Sequence, residues 1–163
     1  MSSSDRRALL AGAAALALAG CGFELRRPPT FAFRSIALTG FAPRSPLAAD
    51  LRRALSRTLT VVDAPAAADV VLQATSDERG KGVVASTSAA QVREFQLRLK
   101  FAFRIRTPGG RELVPPAELL LSRDLSYTET AALAKEQEEG ELFREMQADV
   151  VDQVLRRLAT VTL

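Results

Sequence analysis

Phe95-Gln96-Leu97-Arg98-Leu99-Lys100-Phe101-Ala102-Phe103-Arg104-Ile105-Arg106 is the stretch that decides how the rest of the chain reads. Every odd position is apolar and every even position is polar or small, sustained over twelve residues. A period of two puts successive side chains on opposite faces of a strand. The pattern predicts one long strand with Phe101 and Phe103 on a buried face, and with Arg98, Lys100, Arg104 and Arg106 on a solvated or partner-facing one. A sheet with one apolar face needs a second layer to cover it.

Toward the C-terminus, Thr107-Pro108-Gly109-Gly110 turns the chain, and Leu119, Leu121, Leu125 and Tyr127 predict the returning strand, with Arg123 interrupting the apolar row. A helix is predicted over about residues 130–159. Phe143, Met146, Val150, Val154 and Leu158 recur at helical spacing, and Leu142, Val151 and Leu155 widen the stripe. Glu136, Glu138, Glu139 and Glu141 lie in its early turns and Arg156 and Arg157 in its last, which complements the helix dipole. Gly140 weakens it by roughly 1 kcal/mol relative to Ala.

Toward the N-terminus, residues 83–91 are small and polar and read as a hairpin limb or tip. Asp77-Glu78-Arg79-Gly80-Lys81-Gly82 reads as a turn that ends a strand over residues 69–75, with Val70, Leu72 and Ala74 on one side. Residues 65–68 form a loop and Thr60-Val61-Val62 a short edge strand. Ser45-Pro46 opens another helix, with Ser as N-cap and Pro at the first position, where its missing N–H costs nothing. Leu47, Leu51, Leu55 and Leu59 form its apolar stripe. Residues 31–41 hold a first strand with Ile36 and Leu38 pointing one way. Residues 31–163 thus read as a single α+β domain, two helices on one face of a mostly antiparallel sheet.

The chain's beginning is of another kind. Arg6 and Arg7 precede an unbroken run of Ala, Leu and Gly from position 8 to 19, followed by Gly20 and Cys21. Charge, apolar run and small residues at the cut describe a secretory signal over residues 1–20. Twelve apolar residues are too few for a transmembrane helix, which takes about 20. Leu18-Ala19-Gly20-Cys21 is similar to a bacterial lipobox, which makes Cys21 the lipid-bearing N-terminus of the mature chain and residues 21–30 its tether. Stable anchoring by acyl chains takes two signals, which multiple acylation of one cysteine supplies. Asp5-Arg6-Arg7 leaves Sec and twin-arginine export both open. Loss of one acid and two bases with residues 1–20 lowers the formal net charge from +3 to +2, so the pI near 9.6 says little about partners.

The composition argues against catalysis. The chain has no histidine, and its one cysteine is assigned to the anchor. The commonest general base and metal ligand and the thiol nucleophile are therefore missing. Gly109-Gly110 sits in a hairpin turn and cannot cradle phosphate at a helix start. The glutamate run on the second helix reads as a solvated face. Lys81 with Ser86 or Ser88 has no spacing that favours a catalytic pair. No cofactor, metal or nucleic acid is expected.

Three ordered segments carry a resemblance. Cys21-Gly22-Phe23-Glu24-Leu25-Arg26 follows the cleavage point, and Glu94-Phe95-Gln96-Leu97 opens the long strand. Ala132-Leu133-Ala134-Lys135-Glu136 leads into Phe143-Arg144-Glu145-Met146 and ends at Gln153-Val154-Leu155-Arg156-Arg157-Leu158. In this order they resemble the LptE family of lipopolysaccharide-assembly lipoproteins. The resemblance implies two helices on a roughly four-stranded sheet and a non-enzymatic role. It implies residence on the periplasmic side of the outer membrane, as plug and assembly partner of the LptD β-barrel, with direct contact to lipopolysaccharide. It also implies a basic contact at Lys135. The family's second basic position falls where this chain reads Ser86-Thr87-Ser88-Ala89-Ala90, so Lys81 and Arg93 are the nearest substitutes. Lys135 reads equally well as a solvating residue at the helix entry. An accessory or pilot lipoprotein of another envelope machine is the competing reading.

Overall fold

The structure, a computed structural model, describes residues 29–86 and 92–163. The expected signal peptide, Cys21, most of the tether and the segment 87–91 lie outside the described residues. Five strands and two long helices follow in order: β1 (Ser35–Thr39), α1 (Pro46–Leu55), β2 (Thr60–Val62), β3 (Val70–Ser86), β4 (Val92–Arg106), β5 (Glu112–Ser126) and α2 (Ala132–Leu158). They form one sheet in the order β2-β1-β3-β4-β5. The three long strands pair antiparallel, and short β1 runs parallel to both its neighbours. The fold is α+β as expected, with five strands where the family resemblance implied about four. The additional edge is the three-residue β2.

The long alternating strand has the register its sequence predicts. Leu97, Leu99, Phe101, Phe103 and Ile105 are buried, while Arg98 and Arg104 are exposed. Phe101 and Phe103 stack at 5.1 Å between centroids and share a core with Val150 and Val154 of α2. At the start of α1, the Ser45 hydroxyl accepts from the Ala48 N–H at 3.1 Å, with Pro46 in the first turn. Leu47, Leu51 and Leu55 are its buried stripe. Leu59 lies past the helix end, because the chain leaves helical pairing at Ser56. On α2, Met146, Val150, Val154 and Leu158 are fully buried. The Asp69 carboxylate ties β1 to the entry of β3. It accepts from the N–H groups of Arg34 (3.0 Å) and Ser35 (2.9 Å), which hold it below the usual carboxylate range.

One expectation is corrected. Residues 77–82 do not turn: β3 continues through them to Ser86, pairing with β4 from Arg106 back to Val92. The cause is a β-bulge at Thr75. Ala74 pairs with Phe103 but Ser76 pairs with Ala102, so one extra residue is absorbed. A one-residue slip exchanges the two faces of a strand. Before the bulge Val70, Leu72 and Ala74 face the helices; after it Asp77, Arg79 and Lys81 do, opposite Phe101, Leu99 and Leu97. Each charged residue finds a polar partner there. The Ser45 hydroxyl donates to Asp77 at 2.5 Å, Arg79 donates to Gln147 of α2, and Lys81 pairs with Glu139 of α2. Gln147, only 3% exposed, donates onward to Asp50 of α1. Arg123 has a comparable explanation: it pairs with Asp149 of α2 at 3.3 Å.

Candidate functional site

Lys81 of β3, the end of β5 and the first turns of α2 line an open pocket of about 370 Å³. Its walls include Lys81, Lys135, Leu125, Tyr127 and Glu139. Two of the three basic residues singled out from the sequence therefore meet at one place, although 54 positions separate them. The bulge at Thr75 is what makes this possible. Without it Gly80 and Gly82 would point at α2, and Lys81 would point to the open face.

Lys81 lies 4.2 Å from the centroid of the Phe95 ring while its Nζ is 2.5 Å from Glu139 Oε2. Phe95 in turn meets Tyr127 edge-on at 5.2 Å. Lys135 donates to Ser126 Oγ at 3.0 Å and to Glu138 Oε2 at 2.7 Å, and its side chain is 19% exposed. The arrangement is a mixed lining: Leu125, Tyr127 and Ala132 beside the charged Glu136 and two ammonium groups, each already holding a carboxylate. It suits an amphipathic anion, whose charged end can replace the glutamates while its apolar part meets Leu125 and Tyr127.

Arg93 is not in this cavity. It borders a neighbouring one of about 230 Å³ with Val92, Thr128, Glu129 and Thr130. The Tyr127 N–H donates to the Arg93 carbonyl at 2.8 Å, so the two cavities share one stretch of backbone. Ser126, Tyr127, Glu138 and Glu139 escaped the sequence reading as site residues. The Lys135–Glu138 pair, three apart on a helix, was available from spacing alone. Glu139 with Lys81 depends on the bulge and was not.

The sheet face away from the helices carries the basic row of β4. Lys100 pairs with Glu118 at 3.3 Å, and Arg98 donates to Gln96 at 2.7 Å. Arg104 and Arg106 both turn their Nε toward the Gln73 side-chain oxygen, at 3.0 and 3.2 Å.

Comparison with known proteins agrees with this architecture. Residues 33–158 match the family model described as LptE, lipopolysaccharide-assembly. The LPS-assembly lipoprotein LptE of Photorhabdus laumondii subsp. laumondii is 30% identical over 156 residues, covering 94% of this chain and 85% of that protein. The protein of the same name from Yersinia pestis (strain Pestoides F) is 31% identical over 158 residues, covering 94% of this chain and 75% of its own. Among solved structures, lipoprotein B from Nitrosomonas europaea superposes with a TM-score of 0.73 at 30% identity, over 85% of this chain and 90% of that one. The rare lipoprotein B from Shewanella oneidensis shares the fold, with a TM-score of 0.65 at 23% identity over 78% and 95% of the two chains. With a family model spanning most of its length and relatives aligned over nearly all of it, the chain belongs to the LptE family of lipopolysaccharide-assembly proteins.

Proposed function

We propose that this chain is an outer-membrane lipoprotein that plugs an LptD-type β-barrel from the periplasmic side and contacts lipopolysaccharide as it passes to the cell surface. In this reading residues 1–20 are removed, Cys21 carries the lipid, residues 21–30 are the tether and residues 31–163 the assembly domain. The role is binding and assembly, with no catalysis. Family membership supports the envelope setting. The observation that carries the ligand contact is the meeting of Lys81 and Lys135 at one pocket, beside Leu125 and Tyr127. Lipid A offers phosphates on acyl chains, and ammonium groups take phosphate through charge-assisted hydrogen bonds. Arg93, bordering the next cavity, extends the basic rim.

Both lysines already hold glutamates, so phosphate enters by exchange. Reversing the lysine charges therefore leaves the glutamates unpaired and repels phosphate. Lys81→Asp with Lys135→Asp is expected to weaken lipopolysaccharide binding by about 1–3 kcal/mol, the worth of hydrogen bonds to charged groups. Glu139→Gln, which frees Lys81, is expected to tighten it. Binding of the full chain in detergent, measured at two salt concentrations, tests both, and salt shrinks the differences by screening. Unchanged binding in the double lysine variant removes Lys81 and Lys135 from the ligand site.

The anchor has its own test. Cys21→Ser is expected to abolish incorporation of labelled palmitate and to leave the precursor uncut by the lipoprotein peptidase. Label entering the Ser variant would refute the assignment.

A further inference from the structure

The geometry points to a second binding surface: the open face of the sheet, centred on Arg104 and Arg106, docks a carboxylate-bearing protein surface. Arg104 and Arg106 project from the same face of β4, and both spend their Nε–H on a single neutral oxygen, that of Gln73 on β3. The only other hydrogen bond of this pair among the described residues runs from Arg106 Nη1 to the Thr107 carbonyl, at 3.3 Å. Among the described residues neither has a carboxylate partner, and Glu112, across from Arg106 on β5, forms no ion pair with it. Gln73 thus holds two guanidiniums at one oxygen and leaves the terminal nitrogens of Arg104 without a hydrogen-bond partner among the described residues, able to take a carboxylate. Directly across from Gln73 on β1, the Thr39 hydroxyl oxygen is buried with no hydrogen-bond partner among the described residues.

Further along the same face Lys100 is balanced by Glu118, while Arg98, like Arg104, gives its Nε–H to a neutral side-chain oxygen, that of Gln96, which itself donates to Asp124. Arg104 and Arg106 are the place where two such guanidiniums share one neutral oxygen.

A protein surface fits this face better than a small anion does. Both helices pack on the other side, so no helix covers this face along strands of 15 residues or more, and only the start of β3 is covered there, where Val71 is buried with Ala37 and Ala68. At about 3.3 Å per residue and 4.8 Å between strands this is on the order of 700 Å². A standard interface takes roughly 800 Å² from each partner. Leu120, next to Lys100 in the pairing register, is 65% exposed near its centre. An exposed apolar side chain on a face that also carries arginines is the composition of a protein interface rather than of a phosphate site.

This inference rests on the barrel-plug reading, and the test separates the two. Arg104→Glu with Arg106→Glu is introduced into the full-length lipoprotein, and recovery with affinity-tagged LptD from detergent-solubilised outer membrane is compared with wild type. The expected result is a loss of recovery of about ten-fold or more, with lipopolysaccharide binding by the purified full chain unchanged. Arg104→Gln with Arg106→Gln, which keeps size and removes charge, is expected to fall between, and it covers the case in which the double reversal fails to fold. Wild-type recovery retained in both variants overturns the docking face. Loss of lipopolysaccharide binding in parallel with the barrel also overturns it, since the arginines would then serve a phosphate. Failure of the wild type itself to recover LptD overturns the barrel-plug reading, and the docking face with it.

Discussion

Phe101→Ala is expected to destabilise the isolated domain by about 3–5 kcal/mol, the usual cost of emptying a buried aromatic site. The side chain is fully buried, stacks on Phe103 at 5.1 Å and on Phe41 at 5.8 Å, and lies in the core that α2 closes with Val150 and Val154. Neighbours held on three strands and a helix cannot collapse into the space, so the cavity persists. A domain of this size has about 5–15 kcal/mol in all, so the loss is a large share of its stability. Arg104→Ala, three residues along on the opposite face, removes one hydrogen bond to Gln73 and is expected to cost about 1 kcal/mol or less. Urea unfolding of the two variants side by side checks the register of β4. Equal losses would mean that the strand's buried face has been misassigned.

Gly40→Ala is the second large effect. Gly40 follows β1 at φ +77°, a left-handed conformation that costs an L-residue about 1–2 kcal/mol. A Cβ there would sit 2.2 Å from the carbonyl oxygen of Ala74, the last residue of β3 before the bulge. Backbone cannot yield as a side-chain tip can, and the forced shift adds about 1–3 kcal/mol. The total is on the order of 2–5 kcal/mol, and displacement of Ala74 would disturb the bulge that turns Lys81 toward α2. Gly80→Ala and Gly82→Ala are the controls. A Cβ at either meets nothing within 4 Å, and both are expected to be neutral or slightly stabilising by restricting the unfolded chain. Thermal melts of the three variants separate the cases. A Gly40→Ala melt matching those of the controls would show that the approach to Ala74 relaxes freely.

Where a segment's side chains obey one period, its local pattern was enough to place it. Residues 95–106 alternate without a break, and the leucines of α1 and the Met146-Val150-Val154-Leu158 series of α2 hold helical spacing; each buries the face its pattern announces. The reason is that burial of an apolar row is a property of the row itself, whatever it packs against. Lys135 at the entry of α2 was likewise visible as a candidate, since its helix could be read directly. β3 shows the limit. Its second half carries Asp77, Arg79, Gly80, Lys81 and Gly82, which locally has the composition of a turn. Only pairing with β4 on one side, and partners on α1 and α2 on the other, keep it extended. Those partners lie up to 68 positions away, beyond the reach of any local pattern. The same bulge decides that Lys81 joins Lys135 at the cavity and pairs there with Glu139. The convergence of Arg104 and Arg106 on Gln73 is also tertiary. Residues 98, 100, 104 and 106 look alike as a basic row, and only the neighbouring strands determine which charges are balanced and which remain open.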